Sequence, residues 1–375
     1  MKQYIYADNA ATTQLDPQAF ETMIPWLRDE YGNASQPYSF SRKPKKAIAE
    51  ARAVIAECIN ADPEEIYFTS GGTESDNWAI KGSAFSDSGH HATITSQIEH
   101  HAVLHSCEAT ERIGYPVAYL PADEEGRILP ETLDRYISDR TRLVSVMTAN
   151  NEIGTIQDIA GLADIAHAHG AMFHTDAVQA VGHIPIDVKA LDVDMLSASA
   201  HKFNGPRGIG FLYIRKGIKV CPFMDGGGQE NKNRAGTENT AAIVGMSIAL
   251  MNNTQNMRNT SNSIRSLENL LITKLIEEGL VFRRNGANTL PGLISLSFQN
   301  SNGEMLLHRM DLKGICVSTG SACNGSNDEI SHVLQAIHLP DEYAKGTIRI
   351  SLGKHNTESE ILKITESLKQ ILMPK

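Results

Sequence analysis

The sequence has no CxxC pair, no GxGxxG stretch, no GxxxxGK followed by Ser or Thr, and no uninterrupted apolar run of membrane-spanning length. The missing glycine motifs count against a dinucleotide or P-loop nucleotide enzyme. The five cysteines (Cys58, Cys107, Cys221, Cys316 and Cys323) leave one over when paired, which excludes a simple disulfide framework. With no CxxC pair and no zinc-ligand pattern around its histidines (His90-His91, His100-His101-His105, His167 and His169), the chain is expected to hold no metal. Positive charge is also scarce: 34 basic against 44 acidic residues give a formal charge of −10, so no direct nucleic-acid binding and no anionic-membrane surface are expected. Met1 to Asp8 lacks the apolar core of a secretion signal, and a soluble, cytoplasmic protein is expected. No internal repeat or low-complexity tract interrupts the chain.

What is present is a chain of 375 residues, long enough for two domains. From about residue 45 to 255, strand and helix patterns alternate. Lys45 to Asn60 has helical spacing, and Ile66–Thr69, Ala92–Ser96, Val117–Leu120, Leu143–Thr148, Met172–Thr175 and Met195–Ser197 have strand character. That alternation predicts an α/β fold with a mostly parallel central sheet flanked by helices. The polar Asn252-Asn253-Thr254 precedes a predicted helix to about Glu278. Beyond it, strands at Leu293–Phe298 and Thr347–Ser351 and a helix over Gly303–Leu312 suggest a smaller α+β domain. The division expected is 15–255 for the large domain, with 1–14 and 256–375 forming the small one.

The most informative stretch is His174-Thr175-Asp176-Ala177-Val178-Gln179, followed by Ser199-Ala200-His201-Lys202. A cofactor of the pyridoxal-phosphate kind needs a lysine to form a Schiff base and a carboxylate to keep its pyridine nitrogen protonated. Asp176 and Lys202 each follow an apolar strand, so both can enter the crevice at the carboxyl edge of a parallel sheet. Gln179 is close enough to reach the ring oxygen. Ser70-Gly71-Gly72-Thr73-Glu74-Ser75 places glycines between a strand and a helix start, where free N–H groups can meet a phosphate. Taken singly, Asp176 reads equally as a helix cap and Lys202 as a solvated lysine; it is their joint arrangement that points to a cofactor.

The whole chain resembles a group I (NifS/IscS-like) cysteine desulfurase of the class V aminotransferase family, a fold-type I pyridoxal-phosphate enzyme. The resemblance runs from Tyr6–Thr13 through Gly32-Asn33, Thr69–Asn77, Glu99-His100, Asn150–Gly154, the Asp176/Lys202 block, Arg234–Asn239 and Ser318–Cys323 to Arg349–Gly353. It implies that Lys202 carries the cofactor, that Asp176 pairs with the pyridine nitrogen, and that His100 stacks on the ring and assists proton transfer. It further implies that Gln179 binds the ring oxygen, that Gly72, Thr73, Ser199 and His201 hold the phosphate, and that Asn33, Asn151 and Arg349 orient the substrate, L-cysteine. Thr237 would reach the phosphate of a neighbouring subunit, which implies a homodimer. Gly72 stands where the resembling enzymes often carry alanine, a change expected to leave the turn intact.

Cys323 sits among small and polar residues, Ser318-Thr319-Gly320-Ser321-Ala322-Cys323-Asn324-Gly325, the setting expected of an exposed thiol. The resemblance makes it the group that takes sulfur from cysteine as a persulfide and passes it to an acceptor protein. Cys316 and Cys58, on apolar surroundings, are expected to be buried structural thiols. Selenocysteine lyase or another aminotransferase-fold activity remains open beside this reading, as does a non-catalytic partner scaffold. The sequence ends soon after its last predicted helix, without the longer tail of relatives dedicated to iron–sulfur scaffolds. That shortness admits tRNA or DNA thiolation as destinations for the sulfur, beside iron–sulfur cluster assembly.

Overall fold

The computed structural model describes residues 4–89, 91–320 and 330–373. Its first strand, β1 (Ile5–Tyr6), lies apart from the main sheet. Seven strands form that sheet: β2 (Ile66–Thr69), β3 (Ala92–Ser96), β4 (Val117–Leu120), β5 (Thr141–Ser145), β6 (Met172–Asp176), β7 (Met195–Ser199) and β8 (Gly210–Ile214), in the order 2-8-7-6-5-3-4. Only β8 runs against its neighbours; the pairs from β7 through β6, β5 and β3 to β4 are all parallel. This is the expected mostly parallel sheet. β6, β7 and β8 are buried along their whole length, because helices cover both faces.

β8 is an addition to the sequence reading, which has helices alternating with strands and so no place for a strand that returns directly. The chain makes that return through Asn204 and Gly208, both in the left-handed region at φ 63° and 77°.

Five short strands build the remainder: β1, β9 (Arg283–Asn285), β10 (Leu293–Ser297), β11 (Ile315–Cys316) and β12 (Thr347–Ser351) give a parallel β1–β11 pair and an antiparallel β12–β10–β9 sheet. A separate apolar cluster lies here, with Ile5, Leu271, Ile294, Leu306, Ile350 and Ile364 among its members.

One helix crosses between the two regions. Thr240–Glu277 is unbroken over 38 residues, capped by the Asn239 side chain on the Ala242 N–H. Its first third contributes Ile243, Met246 and Leu250 to the main core, and its last third contributes Ile264, Leu271 and Leu275 to the smaller one. The expectation that Asn252–Thr254 precedes a helix is therefore corrected: these residues lie inside it. Their polarity serves cross-links, since Asn252 Nδ2 donates to Gln18 Oε1 at 3.0 Å and Asn253 Nδ2 to the Phe203 carbonyl at 3.0 Å. Packing overrides the modest helix propensity of asparagine. Cys58 and Cys316 are also corrected, being partly exposed rather than buried, because each sits at or near the end of its element; Cys107 is the buried thiol. Among the described residues, no helix is long and apolar enough to cross a membrane.

Candidate active site

The parallel strands β2, β3, β5, β6 and β7 end on the same edge of the sheet, and the polar residues that follow them meet there. Gly72 and Thr73 come after β2, His100 after β3, Asn151 after β5, Asp176 from the end of β6, and Ser199, His201 and Lys202 from β7 and its following turn. Together with Gln179 and with Arg349 from β12, they line one cavity of about 300 Å³. That size suits a small cofactor with its substrate. Thr237 and Asn33 do not line it. Thr237 is exposed, and the Asn33 side chain accepts the Ser35 N–H at 2.9 Å. Cys323 lies outside the described residues, although Ser318, Thr319 and Gly320, just before it in sequence, do line the cavity.

At the cavity floor, Asp176 is 5% exposed and its Oδ1 accepts the Val178 N–H at 2.9 Å. A second carboxyl, Asp76, lies beneath the same floor with 1% exposure, and no site role follows for it from the sequence. Burial pushes both carboxyls up, but Asp176 is stabilised as an anion by the Val178 N–H and the Lys202 charge, whereas Asp176 itself pushes Asp76 further up. The negative charge therefore settles on Asp176, and Asp76 holds a proton. The helix Gly72–Phe85 carries Gly72, Ser75, Asp76 and Ala79 on one buried face. A lone acid among small residues at helical spacing was the signal available for it.

Lys202 Nζ donates to the carbonyls of Ala10 at 2.5 Å and Ala11 at 3.0 Å, and Gln179 Nε2 donates to the same Ala10 carbonyl at 3.0 Å. The N-terminal segment thus closes one wall. His100 caps the helix His101–Glu111, its Nδ1 accepting the Ala102 N–H at 3.1 Å, which assigns the ring proton to Nε2. Burial and then the Lys202 charge lower its pKa to about 4, so the ring is neutral at physiological pH. His201 is lowered to about 4 by burial and the same lysine, and its Nδ1 lies 3.2 Å from Thr12 Oγ1.

The glycines at the start of the helix are needed for close approach. A Cβ on Gly72 would come within 2.5 Å of Val178 Cγ2. The helix starts at Gly72 as expected, but an alanine would not be neutral in this chain, because Val178 fills the space. Glu74, in the first turn, accepts from Arg234 Nε at 2.8 Å and ties the Arg234–Asn239 stretch to the helix start.

Arg349 is 7% exposed; Nη2 donates to Asp8 Oδ1 at 2.7 Å and Nη1 to the Asn151 carbonyl at 2.8 Å. Its buried Nε has no hydrogen-bond partner among the described residues, a donor suited to a carboxylate. Beside it, Glu152 is buried and accepts from Ser331 Oγ at 2.5 Å. Burial raises its pKa to about 7, against the opposing pull of the Ser331 hydroxyl and the Arg349 charge.

These residues fit pyridoxal phosphate. A buried anion faces a lysine across the cavity, a neutral imidazole lines it, and a glycine-opened helix start offers N–H groups to a phosphate.

Comparison with known proteins adds to this picture. The aminotransferase class-V family matches residues 5–364. The chain is 47% identical over 372 residues to the cysteine desulfurase IscS of Methanosarcina thermophila, covering 98% of this chain and 92% of the relative. Against the cysteine desulfurase IscS of Dictyoglomus turgidum it is 47% identical over 376 residues, 99% and 95% of the two chains. Among solved structures it is similar to a NifS-like protein, at TM-score 0.93 and 36% identity over 99% of both chains. SspA in complex with cysteine is similar at TM-score 0.84 and 37% identity, over 94% of this chain and all of the other (100%).

Proposed function

Because the chain belongs to the aminotransferase class-V family, we infer that it is a pyridoxal-phosphate-dependent cysteine desulfurase, converting L-cysteine to L-alanine. The observation that carries this reading is the convergence of Lys202, Asp176, His100 and Arg349 on one cavity. Bound pyridoxal phosphate supplies an electron sink that makes the substrate's α-proton removable.

The chain's own residues divide the remaining work. Lys202 would hold the cofactor covalently, and its amine is placed to move a proton at the substrate's Cα. Asp176 would hold an anion for the pyridine nitrogen, with the charge kept off Asp76. Gln179 would serve the ring oxygen, His100 would stack on the ring, and Gly72, Thr73, Ser199 and His201 would hold the phosphate, all of them residues lining the cavity. Arg349 grips the substrate carboxylate while Asn151 and Asn33 orient the amino acid. The Cys323 thiolate forms a sulfur–sulfur bond to the substrate's Sγ as the Cβ–Sγ bond breaks. The electron pair stays with Cβ, which takes a proton, giving alanine and an enzyme persulfide.

Thr237 of a second copy of the chain completes the phosphate site, making the enzyme a homodimer. The exposure of Thr237 supports this assignment. Residues 15–255 form the cofactor-holding unit, and 1–14 with 256–375 the unit bearing Cys323; the second apolar cluster, drawn wholly from the latter ranges, supports this division, while Ala10, Leu293 and Val333 pack with the main cluster. The persulfide goes to an acceptor protein serving iron–sulfur cluster assembly or the thiolation of tRNA or DNA. Its place of work is the cytoplasm, where thiols such as Cys221 stay reduced.

Alanine release from L-cysteine tests the reading directly. Lys202→Ala should lose turnover together with the cofactor's visible absorbance band. Cys323→Ser should keep that band and bind cysteine, yet release little alanine. Normal alanine formation by Lys202→Ala would overturn the cofactor assignment, and a wild-type rate in Cys323→Ser would remove that thiol from the mechanism.

A further inference from the structure

The turn at 150–154 is unusually well fixed. Asn150 Nδ2 donates to the Ile98 carbonyl at 2.8 Å, and its Oδ1 accepts the N–H groups of Glu152 at 2.8 Å and Ile153 at 3.0 Å. The Asn151 carbonyl is held by Arg349 Nη1. Glu152 therefore projects from a rigid support one residue away from the group that Arg349 grips.

What Glu152 meets is the chain on either side of the Cys323 segment. On the upstream flank, Gly320 approaches so closely that an added Cβ would overlap Glu152 Oε2 and come within 3.1 Å of Ser331 Cβ. On the downstream flank, the Ser331 hydroxyl donates to Oε2 at 2.5 Å while also accepting the Val333 N–H at 3.1 Å as a helix cap. One carboxylate oxygen thus touches both flanks. Arg349 joins the same assembly, because Ser318 and Arg349 exchange backbone hydrogen bonds at 3.0 and 2.7 Å.

We propose that Glu152 is a positioning residue for sulfur transfer: it anchors both flanks of the Cys323 segment, at Gly320 and Ser331, in register with Arg349. The proposal rests on the reading of Cys323 as the sulfur acceptor. Its physical content is a tether length. Cys323 is three residues from Gly320, so chain geometry alone keeps its Cα within about 10 Å of that point. Holding Gly320 and Ser331 on Glu152 fixes the two described ends of the chain that bears Cys323, and effective concentration rises when the attachment points of a reacting group are fixed. Seating substrate on Arg349 and seating the thiol's tether on Glu152 then use one rigid support. Gly320 must lack a Cβ for this contact to exist, and no larger residue would allow it.

The test uses the purified holoenzyme with Glu152→Ala, Glu152→Gln and Ser331→Ala. For each, three quantities are measured: the cofactor band with cysteine affinity, single-turnover alanine release, and the melting temperature. Misplacement of a reacting group costs about tenfold or more in rate, and that loss is expected in Glu152→Ala and Ser331→Ala with the cofactor band and cysteine affinity retained. Glu152→Gln, which keeps an acceptor oxygen for Ser331, should recover most of the rate. The two disruptive variants act from opposite ends of one contact, so an unstable Glu152→Ala leaves Ser331→Ala to decide. Wild-type single turnover in both variants would overturn the proposal. So would a loss of cysteine affinity that matches the loss of rate, since Glu152 would then be shaping the substrate wall. Cys323→Ser run in parallel separates the two claims: if it transfers sulfur normally, the thiol's role fails; if it is inactive while the Glu152 and Ser331 variants are normal, only the anchor fails.

Discussion

Two residues show how local space and charge were set in this site. Gly72 and Val178 share room that only one of them can fill, given the 2.5 Å approach of any Cβ at position 72 to Val178 Cγ2. Overpacking of this kind costs about 1–3 kcal/mol. Gly72→Ala should therefore lower the melting temperature and loosen cofactor retention, and adding Val178→Ala should recover both, a non-additivity that thermal melts of the single and double variants will measure. Glu99 is fully buried; its Oε1 accepts from Ser96 Oγ at 2.6 Å and the Met147 N–H at 2.9 Å, and burial raises its pKa to about 8. The folded protein thus holds a proton that the unfolded chain releases near the ordinary carboxylate pKa. Its stabilising effect is complete below the unfolded pKa, about 4.3, and is lost as pH rises through about 8. Glu99→Gln imitates the protonated form at every pH. Its melting temperature should match the wild type near pH 5 and exceed it increasingly toward pH 8.

Among the elements, the helix Thr240–Glu277 has the largest structural task, because its two ends belong to different cores. Its middle is polar and is held by Asn252 and Asn253 rather than by apolar burial. A proline at the exposed Gln255 would break the backbone ladder there at a cost of about 3 kcal/mol. Gln255→Pro is expected to split the calorimetric unfolding transition in two, each part reporting one core; a single transition would show that the cores are coupled by other contacts. How far such elements were legible depended on how they are buried. β3, β4 and β12 match their sequence reading residue for residue, because compact apolar or β-branched runs bounded by polar residues mark a strand plainly. β1, β9 and β11 are two or three residues long, too short for any periodicity to show. The cofactor crevice was legible because Asp176 and Lys202 lie close in sequence to the strands that carry them. The pairing of Arg349 with Asp8 was not, since 341 positions separate partners that no local pattern links.

At the scale of the whole molecule, the proposed homodimer with shared sites leads to a mixing experiment. Lys202→Ala is expected to be inactive and Thr237→Ala to hold pyridoxal phosphate weakly. In a mixed dimer, the site built on the Thr237→Ala subunit keeps Lys202 and receives an intact Thr237 from the other copy. Mixing the two variants under exchange conditions should therefore restore tight cofactor binding and turnover at up to about half of the sites in hybrid dimers. No recovery would mean that each copy completes its own phosphate site. The wall of the crevice formed by Ala10 and Ala11, with Asp8 beside it, also bears on how the protein is made. Asp8 is made 341 residues before Arg349, and Ala7 likewise precedes Ser351, whose N–H its carbonyl accepts from β12. The carboxylate grip proposed for Arg349 therefore cannot exist before β12 has been made. A product that stops before β12 carries Lys202 and Asp176 without Arg349, and it is expected to retain cysteine poorly, which cysteine binding by such a truncation will measure.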